Sequence, residues 1–147
     1  IKEAWEMYYP GSDWRWWKSQ LWQESHLKPD AVSPVGAAGI AQFMPATARQ
    51  YGLVDRRLAG PSILAGARMM RDLRRFWKAP RSQRSRDELS QASYNAGAGN
   101  LMKAQAWCAG AAEYEAIAVC LPFITKNYAQ ETLGYVRNIR RWYGAML

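Results

Sequence analysis

Residues 12–27 read SDWRWWKSQLWQESHL and residues 29–45 read PDAVSPVGAAGIAQFMP. At about 100° per residue, Trp14, Trp17, Leu21 and Glu24 fall within one quadrant of a helical wheel, so the first segment predicts an amphipathic helix over 13–27. Ser12 or Asp13 can cap its N-terminus by accepting from free backbone N–H groups. Pro29 forces Lys28 out of the α region and ends it. Glu24 is then in the last turn, on the apolar stripe. Loss of hydration and the negative end of the helix dipole both oppose the anion there, which keeps a proton available near neutral pH, as a general acid requires. A carboxylate paired with Arg or Lys at the edge of the core is the alternative reading of the same helix.

In the second segment, Pro29, Pro34, Gly36 and Gly39 rule out a continuous helix. The expectation is a loop or small hairpin over 31–43, with Gln42 and Met44 on one side of an extended stretch and glycines that let backbone approach a ligand. Pro45 then opens a new helix, at the position where a missing N–H does no harm.

Taken in order, Glu24-Ser25, Ser33, Gly36-Ala37-Ala38-Gly39, Gln42 and Met44-Pro45 resemble the first motifs of the soluble lytic transglycosylase family, whose domain has a goose-type-lysozyme-like fold. Ala92-Ser93-Tyr94-Asn95-Ala96-Gly97 is similar to that family's Tyr-Asn-Ala-Gly motif, and Glu131-Thr132 with Tyr135-Val136 to its C-terminal motif. The resemblance runs from 14 to 143. Each string alone is a weak signal; all of them in order are a strong one.

The resemblance implies roles residue by residue. Glu24 matches the family's single acid/base, which cleaves the bond between N-acetylmuramic acid and N-acetylglucosamine and leaves a 1,6-anhydro end. Ser25 and Ser33 match positions whose hydroxyls steady the site, and Gln42 and Met44 match glycan-contacting positions. Tyr94 matches a tyrosine whose hydroxyl lies near the catalytic carboxyl, and Asn95 is expected to order that helix end. Glu131 and Tyr135 match polar residues that close the far side of a cleft, and their i,i+4 spacing puts them on one side of a helix. A plain structural hydrogen bond is the alternative for each of these, most strongly for Ser25, Asn95 and Tyr135.

The chain also departs from the family pattern. Ala41 stands where Met is usual and Leu133 where Arg is frequent, and the stretch from Asn95 to Glu131 is several residues longer than usual and holds both cysteines. These changes bear on subsite preference. Within the same fold, a lysozyme-type muramidase is the nearest rival; it requires a second carboxylate, and Asp30 and Asp55 are the first downstream aspartates, with Ala37 and Ala48 where partners would be sought. A non-catalytic wall-binding or structural module is the rival of a different class.

Composition fits a single domain over 1–147, a module or processed part of a longer chain, since the sequence starts at Ile1 with no signal-peptide pattern. Helices are expected near 13–27, 45–51, 61–78, 86–96, 99–107, 113–121 and 127–144, the last with Tyr128, Val136, Ile139 and Trp142 supplying apolar surface. The fold class is mainly α, α+β at most: a lysozyme-like helical domain with few strands. No apolar run is long enough to cross a membrane. Twenty Lys and Arg against twelve Asp and Glu give a formal charge of +8, which favours an anionic polymer. Arg68, Arg71, Arg75 and Lys78 form one helical row, but no nucleic-acid-binding motif accompanies it, so nucleic acid is a poor second to peptidoglycan glycan strands.

Cys108 and Cys120 are either a disulfide, which would indicate an oxidising compartment, or two buried thiols. With His26 they cannot complete a zinc shell, so neither metal nor cofactor is expected. The compartment implied is the cell wall space, periplasmic or extracellular, or a phage virion, with a larger polypeptide or a phage or secretion assembly as the setting. Of eight Trp and eight Tyr, most are expected in the core and none is singled out as a sugar contact.

Overall fold

The computed structural model describes residues 1–147. Nine α-helices follow one another: α1 Lys2–Tyr8, α2 Arg15–Ser25, α3 Pro45–Gln50, α4 Ala59–Phe76, α5 Gln83–Ala96, α6 Ala98–Trp107, α7 Tyr114–Ala118, α8 Leu121–Thr125 and α9 Ala129–Ala145, the last preceded by a 3-10 turn, Lys126–Tyr128. The expected hairpin reduces to two isolated antiparallel bridges, Val32 with Ala38 and Ala38 with Phe43. The chain divides into two compact units, Ile1–Arg71 with Ile139–Leu147, and Asp72–Asn138.

The first unit is built around α2. Trp17 and Leu21 are fully buried, as the stripe predicted. Trp5, on a helix the sequence reading had missed, stacks on Tyr9 at 4.1 Å and lies 6.1 Å from Trp17. The Trp17 ring also fills the space over Gly66, where a Cβ would come within 2.6 Å of its Cη2. Trp16 and Trp22 are half-buried: Trp16 stacks on Tyr143 at 3.7 Å, and Trp22 meets Trp142 edge-on. Tyr143 Oη donates to Asp13 Oδ2 at 2.8 Å, and the backbone N–H of Arg15 donates to Asp13 Oδ1 at 3.0 Å. The N-cap position itself falls on Trp14, beyond the expected Ser12 or Asp13, and makes no side-chain cap; hydrogen bonds from Arg15 and Tyr143 lower the Asp13 pKa to about 2 despite partial desolvation.

Helix α2 ends at Ser25, earlier than Pro29 requires. His26 and Leu27 are both left-handed, with φ of 53° and 62°, and turn the chain before the proline is reached.

In the second unit α5 carries the core face, with Leu89 and Ala92 fully buried beside Leu101, Ile117 and Leu121. It starts three residues before the expected position because Ser82 caps it, accepting from Ser85 N at 3.2 Å. Ser82 and Ser85 hydroxyls in turn donate to the Glu113 carboxylate, which fastens α7 to the start of α5. The single helix expected over 113–121 is two, α7 and α8. Pro122 has no N–H to give Ala118 and instead sits in the first turn of a new helix. Cys108 and Cys120 form a disulfide, Cα atoms 5.9 Å apart, which ties the end of α6 to the start of α8. Tyr128 does not supply apolar surface to the last helix: it lies in the 3-10 turn and is 76% exposed, while Val136 and Ile139 are buried and Trp142 is half-buried.

Candidate functional site

In the first unit, Glu24 occupies the last turn of α2, half-buried rather than sealed in the core. Its neighbour Ser25 is buried, and Ser25 Oγ donates to the Ile40 carbonyl at 2.8 Å, with the Leu21 carbonyl a weaker second acceptor at 3.3 Å. That bond fixes the end of the acid-bearing helix to the glycine loop.

The loop is held by backbone pairing and by one arginine. Ser33 N donates to the Ala37 carbonyl at 2.9 Å, and Ser33 Oγ accepts from Ala37 N at 3.0 Å, closing the turn through Gly36. Ala38 and Phe43 exchange both backbone hydrogen bonds at 3.1 Å. Arg56 spreads its guanidinium over the Gly36 and Phe43 carbonyls at 2.7 and 2.8 Å, and Ser62 Oγ donates to the Arg56 carbonyl at 2.7 Å. Gly39, at φ +83°, lies against that same Arg56 carbonyl, so any Cβ there would overlap it.

Gln42 corrects one expectation. The segment is not extended: residues 39–42 form a tight turn, and Gln42 itself is left-handed at φ 50°. Its Nε2 donates to the Ala31 and Gly39 carbonyls at 3.1 and 2.9 Å, so the amide buttresses the turn. Met44 follows in extended conformation, 42% exposed, and Pro45 opens α3 as expected.

In the second unit, Tyr94 is half-buried near the end of α5 and Asn95 is the next residue. Thr132 Oγ1 donates to Asn95 Oδ1 at 2.7 Å, and Asn95 Nδ2 donates to Glu131 Oε1 at 3.3 Å. The asparagine thus couples α5 to α9 as well as standing at a helix end. Asn95, Asn100, Thr125, Tyr128, Glu131 and Thr132 are among the residues lining an open pocket of about 410 Å³. Amides, hydroxyls, a carboxylate and one phenol ring make this a surface that can hydrogen-bond a polyhydroxylated ligand.

Glu131 and Tyr135 are four apart on α9, as their spacing requires, but differ in exposure. Glu131 is exposed at the pocket, whereas Tyr135 is 5% exposed and belongs to the core. A helix a few residues wide in its buried arc separates positions 400° apart enough for one to reach solvent. Arg56, Thr132 and Tyr128 are the residues that sequence reasoning had not placed at these sites. Thr132 had a signal, its place in the Glu-Thr string; Arg56 had none, because it binds backbone carbonyls.

A lysozyme-like helical domain of this kind is found in known proteins. The 70 kDa soluble lytic transglycosylase of Escherichia coli superposes with a TM-score of 0.71 at 24% identity, over 97% of this chain and 23% of that one. An inactive mutant of the lytic transglycosylase Slt of Pseudomonas aeruginosa, a glutamate replaced by glutamine, gives a TM-score of 0.67 at 25% identity, over 90% of this chain and 21% of its own. The family model for the Transglycosylase SLT domain matches residues 6–117, and the chain belongs to that family. Among its relatives are the membrane-bound lytic murein transglycosylases F of Shewanella sediminis, 30% identical over 99% of this chain and 34% of the relative, and of Alcanivorax borkumensis, 32% identical over 93% and 32%. The chain thus spans about a third of the length of the curated relatives it matches. No helix is long and apolar enough to cross a membrane.

Proposed function

We propose that the chain is a peptidoglycan lytic transglycosylase, a carbon–oxygen lyase that cleaves the MurNAc-β-1,4-GlcNAc bond without water, with Glu24 as acid and then base. The observation that carries this reading is the family match over 6–117, which contains Glu24 at the end of α2 and the glycine loop fastened to it through Ser25.

In the first step the Glu24 carboxyl gives its proton to the oxygen linking the two sugars, and the C1–O bond breaks with the electron pair leaving on that oxygen. In the second, the Glu24 carboxylate takes the proton of the C6 hydroxyl of the same muramoyl residue, and O6 bonds to C1. The proton returns to Glu24, the product carries a 1,6-anhydro ring, and neither water nor a cofactor enters the balance. One carboxyl group serves both steps. The Pseudomonas relative made inactive by a glutamate-to-glutamine change supports an essential carboxyl group in this fold.

Within this reading Ser25, Ser33 and Gln42 act by holding the loop in shape, Met44 offers an exposed thioether to the glycan, and Tyr94, Asn95 and Glu131 present polar atoms to it. Tyr135 acts from the core. Residues 1–147 form one transglycosylase domain of a longer polypeptide, and its partners are peptidoglycan glycan strands. The Cys108–Cys120 disulfide favours an oxidising setting: the periplasm, the cell exterior or a phage virion. The charge of +8 adds long-range attraction to an anionic wall.

Mass spectrometry of purified peptidoglycan digested by the chain tests this reading. Products ending in 1,6-anhydro-MurNAc are expected. Products heavier by one water, with reducing ends, would replace the reading by a muramidase in which a second carboxylate activates water, and an undigested glycan would leave a wall-binding module.

A further inference from the structure

Trp107, the last residue of α6, and Phe123, in α8, stack with ring centroids 5.4 Å apart and planes 14° from parallel. Both rings stand in solvent, at 63% and 56% exposure, whereas Trp17 and Trp77 are buried in the two cores. Large rings left in water contribute little to folding, so this pair is not explained by the core.

Its geometry is fixed by its surroundings. Trp107 precedes Cys108 directly, Cys108 is bonded to Cys120, and Phe123 N donates to the Cys120 carbonyl at 3.1 Å. One covalent tie therefore holds the helix end carrying the indole against the helix start carrying the phenyl ring. The next two residues of α8, Ile124 and Thr125, line the pocket that also holds Asn95 and Glu131. An exposed aromatic pair, tied through the disulfide, thus has one ring, Phe123, on the same helix, α8, as two of the residues that line a pocket rich in amides, hydroxyls and a carboxylate.

We propose that Trp107 and Phe123 form a stacking platform for a pyranose ring of a glycan strand, an extended subsite beside the Asn95–Glu131 pocket. The proposal rests on the reading of peptidoglycan glycan as the substrate. One face of a pyranose consists of C–H bonds, whose positive edge suits the negative face of an aromatic ring. The hydroxyls around the sugar's rim stay in water or turn to the polar pocket. A polysaccharide, whose C–H faces and hydroxyls recur along one strand, matches both the rings and the polar groups.

The test compares the parent chain with Trp107→Ala, Phe123→Ala and, as a control at a fully exposed site in the first unit, Val54→Ala. Affinity for purified peptidoglycan sacculi is measured by co-sedimentation, product release by mass spectrometry, and oligomeric state by analytical ultracentrifugation. The two ring variants are expected to bind sacculi about tenfold more weakly, as loss of a central aromatic contact does, with unchanged thermal midpoints; the control is expected to bind as the parent does. Ring variants that bind as tightly as the parent overturn the platform. So does a parent dimer that Trp107→Ala disperses without loss of sacculus affinity, since the face would then join copies of the chain. Anhydro products from all four proteins with undiminished binding would sink the platform alone; ring-dependent binding with no product from the parent would keep the platform and sink the transglycosylase reading.

Discussion

Ser25 Oγ donates to the Ile40 carbonyl at 2.8 Å, joining the residue after the proposed acid to the loop that follows it. Ser25 is 5% exposed, so the bond is shielded from water. Ser25→Ala leaves the Ile40 carbonyl without this donor and is expected to cost about 1–3 kcal/mol of stability, read from denaturant unfolding. A loss of turnover should accompany it. A variant as stable as the parent would show that the loop does not depend on this bond.

Gly36 and Gly39 both have positive φ, at 92° and 83°, but differ in their surroundings: nothing lies within 4 Å of a Cβ at Gly36, while one at Gly39 would meet the Arg56 carbonyl. Gly36→Ala is therefore expected to cost only the left-handed penalty, about 1–2 kcal/mol. Gly39→Ala should cost distinctly more, because backbone has to move. Equal unfolding midpoints for the two variants would contradict this account of the loop.

Hydrogen bonds from the Ser82 hydroxyl, the Ser85 hydroxyl and the Ser82 backbone N–H lower the Glu113 pKa to about 2, from an ordinary 4.5. A depressed carboxylate pKa means the unfolded chain binds the extra proton first, so stability rises with pH in this window. The Glu113 contribution is complete above pH 4.5 and is lost as the pH falls towards 2. Thermal midpoints of the parent and Glu113→Gln should differ at pH 7 and converge between pH 4.5 and 2. A gap that is constant with pH would mean the carboxylate charge is not what fastens α7 to α5.

The disulfide closes a loop of 12 positions between α6 and α8. Reducing it frees that loop in the unfolded chain, and the double variant Cys108→Ser/Cys120→Ser is expected to be less stable by roughly 2–4 kcal/mol. Equilibrium unfolding with and without reductant reads this directly; identical curves would contradict it.

How much of this was legible depended on the kind of interaction. The core face of α2 could be read because Trp17 and Leu21 repeat at helical spacing, and both are fully buried. Helix α1 could not: it has seven residues and no side-chain cap, and what holds it is the stacking of Trp5 on Tyr9 and Trp17. Loop punctuation by Pro and Gly was legible, but the extended reading of Gln42 failed because a non-glycine left-handed residue leaves no pattern in sequence. Arg56 was invisible for a related reason: its acceptors are the carbonyls of Gly36 and Phe43, and every residue has a carbonyl. Tyr135 shows the limit of helical spacing, which relates it to Glu131 but does not say how wide the buried arc of α9 is.

The most direct test of the central claim is the rate at which Glu24→Gln releases 1,6-anhydro products from purified peptidoglycan. Glutamine keeps the size and polarity of the side chain but can neither give nor take the proton. The expected result is turnover lower by about 10²–10⁴ or more, with sacculus binding and thermal midpoint close to those of the parent. Undiminished release of anhydro products by this variant would contradict the assignment of Glu24 as the acid that becomes the base.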